Sequence, residues 1–399
     1  MTTLSIVIPA YNEEDGIATI ANRVLAVKPD LAKVGVDDLE LLVVDDGSSD
    51  KTAEIADSIE GVTLIKHKTN KGYGAALKTG FGSAKGELVG FLDADGTYPP
   101  EYFPNLCTAA MNGSDLVIGS RMAGADSQMP TTRRIGNVFF AGLLSILTRS
   151  KVTDSASGMR VFKKTILEQI YPLPDGLNLT PVMSTRAIHE GIRMKELPIP
   201  YSERLGRSKL SVVHDGRLFL ESMVFTALTY NPVRILGMIG MFLSLIAIAI
   251  FAGITIARLN GVTTLGSGGV TAVMIALVTL VAGISLFSLG ATFNYLTTLF
   301  HKRQVRQGLF GRPMLSAPLE RYFGWLGPIA LLGGLVIGGV SVFMVGTPDW
   351  DVNRLWLYLV VSAMSILMGV QFIVYWVLLS VLSELSQREA NIENDLQVD

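Results

Sequence analysis

The sequence predicts a mostly parallel α/β domain followed by an α-helical domain of four membrane spans. Two patterns lead there. From Leu4 to Gly119, short apolar runs alternate with helical segments, and most of the runs end in a polar motif. Beyond about residue 232 the chain turns apolar almost without interruption. The mean hydropathy of +0.42 and the 17% of charged residues are therefore averages over a soluble-looking front and a membrane-like back.

The front begins with Leu4-Ser5-Ile6-Val7-Ile8, a buried-strand pattern closed by Pro9 and followed by Tyr11-Asn12-Glu13-Glu14. An amphipathic helix is expected from about Ile17 to Val27. Leu39 to Val44 reads as a second strand, ending in Asp45-Asp46-Gly47-Ser48-Ser49-Asp50, where Ser49 or Asp50 can cap the next helix. Val62 to Lys66 is a third strand, and the glycine-rich turn Asn70-Lys71-Gly72-Tyr73-Gly74 leads into a helix from Ala75 to Ala84. Leu88 to Leu92 is a fourth strand, Asp115 to Gly119 a fifth. Strand alternating with helix means a parallel sheet covered on both faces, with the polar motifs gathered at the carboxyl edge. Arg133 to Leu147 mixes two arginines with an apolar face and reads as an interfacial helix, about residues 133–149. A second helix, 212–230, carries the chain towards the bilayer. The expected domains are thus 1–231, 232–384 and a polar tail, 385–399.

Four apolar spans follow, about Ile235–Ala257, Val270–Phe293, Trp325–Val345 and Leu355–Leu382, each near the ~20 residues that cross a hydrocarbon core. Their second connection carries His301, Lys302, Arg303, Arg306, Arg312 and Arg321, whereas the first and third carry Arg258 and Arg354. The basic bias places that connection, both termini and the front domain in the cytoplasm. The chain enters strand pattern at Leu4 with no signal peptide before it, which fits. A net charge of −2 offers no field for nucleic acid, and a single cysteine, Cys107, excludes a disulfide framework or a cysteine-built metal site.

The chemistry centres on Leu92-Asp93-Ala94-Asp95-Gly96-Thr97. Alternate strand residues point the same way, so Asp93 and Asp95 share a side if the strand geometry persists. Two adjacent carboxylates repel unless a cation sits between them, and a hard divalent ion, Mg2+ or Mn2+, would bring phosphates with it. A lone Asp-x-Asp is more often a solvated turn, but the neighbouring motifs weigh against that here.

Pro9-Ala10-Tyr11-Asn12-Glu13, Val44-Asp45-Asp46-Gly47-Ser48 and Leu92-Asp93-Ala94-Asp95 together resemble the family 2 inverting glycosyltransferases of GT-A fold. Ser157-Gly158-Met159-Arg160 and Arg204-Leu205-Gly206-Arg207-Ser208-Lys209 narrow the resemblance to the branch of dolichol-phosphate mannose synthase and bacterial polyprenyl-phosphate glycosyltransferases. The likeness covers about residues 4–212. It implies a GT-A, Rossmann-like sheet, a nucleotide-sugar donor, a polyprenyl-phosphate acceptor, a divalent metal and work at a lipid bilayer. It further implies nucleotide contacts from Pro9, Tyr11, Glu13, Val44, Asp46, Asp93, Ala94 and Lys209, with Asp93 and Asp95 at the metal. Arg121, Arg204 and Lys209 resemble the family's phosphate contacts. Arg133 or Arg134, with Asn137, Arg160 and Arg204, fall where the acceptor phosphate is gathered. Thr97 stands where the family often has a metal-binding glutamine. Thr97, Asp154 and the segment Leu177 to Met183 are candidate lining for the sugar. The resemblance does not decide the sugar, UDP against GDP, the lipid length or self-association as a homo-oligomer.

The residues agree with such chemistry. A departing diphosphate needs positive charge around it, and arginine offers a planar fork for phosphate oxygens. A phosphate acceptor is already an anion and needs positioning rather than a base. None of His67, His189 and His214 lies in these motifs, and Ser157 has no histidine partner, so neither is expected to be catalytic. Two rival readings remain. A processive polysaccharide synthase resembles the front half as well, but the Gln-x-x-Arg-Trp pattern of that class is absent. A non-catalytic nucleotide-sugar-binding transporter or scaffold conflicts with four spans nearly free of ionisable groups.

Overall fold

The computed structural model describes residues 2–123, 128–148, 150–202, 212–262, 266–301, 319–345 and 352–396. Two compact units emerge, Met1–Ala227 and Leu228–Asp399.

The first unit runs β1 (Thr3–Ala10), α1 (Ile17–Ala26), α2 (Lys28–Lys33), β2 (Asp38–Asp45), α3 (Thr52–Asp57), β3 (Val62–Lys66), α4 (Tyr73–Ser83), β4 (Leu88–Phe91), α5 (Phe103–Met111), β5 (Leu116–Ser120), α6 (Thr131–Thr148), β6 (Arg160–Lys163), α7 (Leu167–Ile170), α8 (Leu179–His189), β7 (Met194–Pro198) and α9 (Val212–Tyr230), which continues into the second unit. The strands form one sheet in the order β3-β2-β1-β4-β6-β5-β7. It is parallel except at β6, which runs against both β4 and β5. This is the mostly parallel α/β sheet expected. β6 and β7 were not foreseen, because β6 is four residues long and opens on an arginine.

Period-two alternation sorts the strand residues onto the two faces. Leu4, Ile6, Ile8, Leu41 and Val43 pack on one side with α1, α2 and α5, while Val7, Leu42, Val44, Val89 and Phe91 pack on the other with α4 and α8. α4 presses so closely on β1 that a Cβ at Gly80 would lie 2.3 Å from Val7 Cγ1. The chain walks from β1 outward to β3, then crosses back to place β4 on the other side of β1. That reversal opens a crevice beyond the carboxyl ends of β1 and β4, the place where open α/β sheets take ligands. Tyr11 and the Asp93–Asp95 segment follow those two strands.

The second unit contains α10 (Pro232–Leu259), α11 (Ser267–His301), α12 (Leu319–Val345) and α13 (Val352–Leu396). Four segments, Pro232–Leu259, Ser267–Thr297, Leu319–Met344 and Leu355–Leu385, are long and apolar enough to cross a membrane, matching the spans read from the sequence. Small residues let the helices approach. A Cβ at Gly240 of α10 would sit 2.5 Å from the Gly283 carbonyl oxygen of α11, and one at Gly369 of α13 would sit 2.5 Å from the Leu331 nitrogen of α12. Ser362 donates to the Gly334 carbonyl at 2.8 Å, and Gln371 donates to Ser285 Oγ at 2.6 Å. α13 continues as helix to Leu396, beyond the start of the tail expected from its polarity, since Glu, Gln, Arg and Ala are good helix formers.

Candidate active site

A cavity of about 560 Å3 occupies the crevice. Its walls bring together Pro9, Tyr11, Glu13, Asp46, Asp93, Ala94, Asp95, Arg121, Arg133 and Asn137, residues spread over the chain from the first strand to α6.

One wall is built by two interlocked loops. Asn12 takes a left-handed backbone, φ 49°, which asparagine tolerates better than most residues. Its N–H donates to Ser48 Oγ, and its side-chain oxygen accepts from the Ser49 N–H at 2.8 Å. The Glu13 N–H donates to Thr52 Oγ1 at 2.8 Å. Asp46, buried below them, accepts from the Lys71 N–H at 2.9 Å on Oδ1 and from the Gly72 N–H at 2.8 Å on Oδ2. Gly72 has φ +106°, and a Cβ there would meet the Asp175 carbonyl oxygen at 2.5 Å, so only glycine closes this turn.

Beside it stand the paired aspartates. Tyr73, the first residue of α4, donates its hydroxyl to Asp93 Oδ1 at 2.7 Å. Burial, then the Asp93 charge, raises the Tyr73 phenol well above its usual range, so it stays a donor. Asp95 Oδ1 accepts both the N–H and the hydroxyl of Thr97, the latter at 2.6 Å. Thr97 is 1% exposed and does not line the cavity. It orients Asp95 rather than offering a ligand of its own. Behind Asp93 lies the turn before β6: a Cβ at Gly158 would fall 2.4 Å from Asp93 Oδ2, and the Gly158 N–H donates to the Tyr98 hydroxyl at 2.7 Å.

The donor set facing the cavity at Asp93 and Asp95 is carboxylate oxygen, which suits a hard divalent cation. Each carboxylate has one oxygen pinned by a hydroxyl, so both are held in fixed orientation. Among the described residues no three histidine, cysteine, aspartate or glutamate side chains gather as a metal cage. Such a pair fits Mg2+ or Mn2+, which keep ligand positions for phosphate oxygens and water.

Arg121 supplies the positive charge. It grips Asp154 bidentately, Nε to Oδ2 and Nη2 to Oδ1, both at 2.8 Å, under the rings of Tyr98 and Tyr201 with its guanidinium carbon 5.8 and 5.4 Å from their centres. Burial opposes the Arg121 charge, but Asp154, Tyr98 and Tyr201 together outweigh it and hold its pKa well above the usual range. Its other N–H groups make no hydrogen bond among the described residues, so it can still offer donors to an anion.

Several sequence-derived assignments differ in place. Val44 is fully buried in the apolar layer and does not line the cavity; its contribution is to set Asp45 and Asp46 at the strand end. Asp154 is 0% exposed and fully engaged with Arg121, so it supports that residue instead of facing a sugar. Arg160 is also 0% exposed, and donates to Ser157 O, Ser155 O and Ser184 Oγ at 2.8–3.1 Å. Burial lowers its pKa to about 10. It staples the 155–158 turn to α8 and cannot reach an acceptor phosphate. On α6, Arg133 lines the cavity and Arg134 lies outside it. Asn137 Nδ2 donates to the Thr153 carbonyl, so its amide is already partly used. Leu177 and Thr180 line the cavity, while Met183 is core. Arg204 and Lys209 lie outside the described residues. His67 was considered only as a non-catalytic histidine, and Tyr73, Tyr98 and Tyr201 were given no role, although Tyr73 sits in the glycine-rich turn and His67 directly follows β3.

Comparison with known proteins agrees. Residues 5–171 match the Glycosyl transferase family 2 model, and residues 232–393 match a domain of unknown function, DUF8752. The chain is 29% identical to the low-salt glycan biosynthesis hexosyltransferase Agl6 of Haloferax volcanii, over 96% of this chain and 89% of that one. It is 28% identical to the undecaprenyl-phosphate 4-deoxy-4-formamido-L-arabinose transferase of Edwardsiella ictaluri, over 79% and 94%. A dolichyl-phosphate hexose transferase of Haloferax volcanii is 32% identical over 55% of this chain and 92% of its own length. By that last match above all, the chain belongs to glycosyl transferase family 2: it is a glycosyltransferase, and its four apolar helices make it an integral membrane one.

Proposed function

We propose that the protein transfers a sugar from a nucleotide diphosphate sugar to the phosphate of a polyprenyl monophosphate at the cytoplasmic surface of a membrane, inverting the anomeric carbon. The observation that carries this reading is one cavity lined both by the strand-end carboxylates Asp93 and Asp95 and by Arg133 of an α6 whose outer face is apolar. The relatives' names point the same way, to dolichyl and undecaprenyl phosphates.

In this scheme Pro9, Tyr11, Glu13, Asp46 and Ala94 flank the base and ribose. Asp93 and Asp95 hold Mg2+ or Mn2+, which when bound stabilises the charge left on the departing diphosphate. Arg121 donates to the same phosphates, with Lys209 and Arg204 as further candidates. Arg133 receives the acceptor phosphate, with Asn137 a turn along. The acceptor phosphate oxygen is already anionic, so it needs positioning rather than a protein base. α6 leaves Ile135, Val138, Phe139 and Ile146 exposed along one face, a stripe suited to the headgroup boundary of a bilayer.

The enzyme is expected to glycosylate a polyprenyl monophosphate and leave the matching polyprenol untouched, giving a product of inverted configuration by NMR. Equal use of the free alcohol, or a retained anomer, would overturn the mechanism. Purified protein offered a panel of UDP- and GDP-sugars would identify the donor.

Orientation gives a second expectation. In a Cys107→Ser background, Thr263→Cys and Asp349→Cys should react with an impermeant maleimide from outside intact cells, and Arg306→Cys should not. The native thiol is itself buried, with its pKa pushed up to about 12, so it should label little even in the parent protein. External labelling at position 306 would reverse the topology.

A further inference from the structure

His67 has no place in the transfer chemistry, yet it is among the most constrained side chains near the cavity. It follows β3, and its ring is 5% exposed. Nδ1 lies 2.7 Å from Asp46 Oδ1, and Nε2 lies 2.9 Å from Thr79 Oγ1 on α4. A carboxylate only accepts hydrogen bonds, so Nδ1 carries a proton and donates. In the neutral ring Nε2 then accepts from the Thr79 hydroxyl, which fixes both tautomer and ring plane. The triad-like order Thr–His–Asp is not a nucleophilic device here, because neither His67 nor Thr79 lines the cavity. What it secures is Asp46.

Asp46 in turn secures the turn before α4. Its two oxygens take the N–H groups of Lys71 and Gly72, and Gly72 and Asn70 line the cavity. The next residue, Tyr73, holds Asp93. One path of hydrogen bonds and backbone thus runs Thr79, His67, Asp46, the 71–72 turn, Tyr73, Asp93, from the nucleoside side of the cavity to the metal side. We propose that His67 is a positioning residue of the donor site, holding Asp46 and the 71–72 turn in the arrangement that receives the nucleoside diphosphate. This rests on the donor reading above.

The full-length enzyme in lipid nanodiscs, with the variants His67→Leu, His67→Asn and Thr79→Val, tests it. Binding of UDP and GDP is measured by titration calorimetry without acceptor, and steady-state donor KM and kcat with saturating acceptor. His67→Leu leaves Asp46 short of a donor and should weaken nucleoside diphosphate binding and raise donor KM about tenfold or more. The turnover number should stay within about threefold, since no transition-state contact is removed. His67→Asn places an amide N–H near the position of Nδ1–H and should recover most of the affinity. Thr79→Val keeps the Asp46 bond but frees the ring, and should fall between wild type and His67→Leu. If His67→Leu does not fold, the other two variants still decide the matter. A merely structural histidine would lower the unfolding temperature and leave the dissociation constant of the folded protein unchanged. That result, or His67→Asn binding no better than His67→Leu, or a loss confined to kcat, overturns the proposal. Wild-type enzyme that binds neither UDP nor GDP would instead remove the donor reading itself.

Discussion

Asp95→Asn is expected to lower turnover by a factor of about 10² to 10³ while leaving the fold intact, the size of effect seen when one charge-stabilising group is lost from a transition state. The side chain is 8% exposed and Oδ1 accepts from Thr97 twice, bonds that an asparagine oxygen can keep. What the amide removes is the negative charge and the second oxygen. Turnover measured across a Mg2+ or Mn2+ titration, alongside the unfolding temperature, separates the two effects. Wild-type rates for Asp95→Asn at low metal would show that this carboxylate does not hold the ion. Chelation of divalent metal should abolish turnover of the wild type and be reversed by adding the ion back.

Gly158→Ala should be nearly as damaging, for a different reason. The added Cβ would sit 2.4 Å from one Asp93 oxygen and 2.6 Å from the other. Asp93 cannot simply swing aside, because Tyr73 holds Oδ1 and the Gly158 N–H is itself fixed on the Tyr98 hydroxyl. Either the carboxylate or the turn must move, and a displacement of about 1 Å at a reacting centre can cost about 10²-fold in rate. kcat should fall while Asp46 and its turn, on the other wall, keep nucleoside binding close to normal. A Gly158→Ala enzyme with unchanged kcat would mean that the Asp93 position is slack.

The sheet was legible where apolar runs of strand length alternate with helical periods. The strand-end motifs were legible too, because topology sends every carboxyl end of a parallel strand to one edge. The misplacements share a cause. Arg160 and Asp154 sit in a polar turn beside a known motif, and sequence does not distinguish a charged group facing a cavity from one wholly buried among carbonyls or opposite a counter-charge. Because β6 runs antiparallel, its first residue, Arg160, lies at the carboxyl edge of β4 and β5, where the Ser155 and Ser157 carbonyls and Ser184 enclose it. Nothing local to those four residues announces that direction. The contact of His67 with Asp46 was not legible for the opposite reason: the two are 21 residues apart and meet only once the sheet is assembled.

The antiparallel strand has a consequence for how such enzymes can diversify. β5 leaves the sheet at Ser120, and β6 re-enters it at Arg160 on the same rim, where Ile118 and Arg160 are register partners. The segment between them, α6 included, is an excursion whose two ends are neighbours. Its length and sequence can change without shifting the register of any strand, provided Thr153 still meets Glu196 of β7 and Ser120, and the 154–158 turn still closes against Arg121 and Asp93. The fold therefore behaves as a fixed chassis with a replaceable cartridge. A grafted 122–152 segment from a relative should leave the wall of Pro9, Tyr11 and Asp46 as it is and exchange whatever the α6 side of the cavity admits.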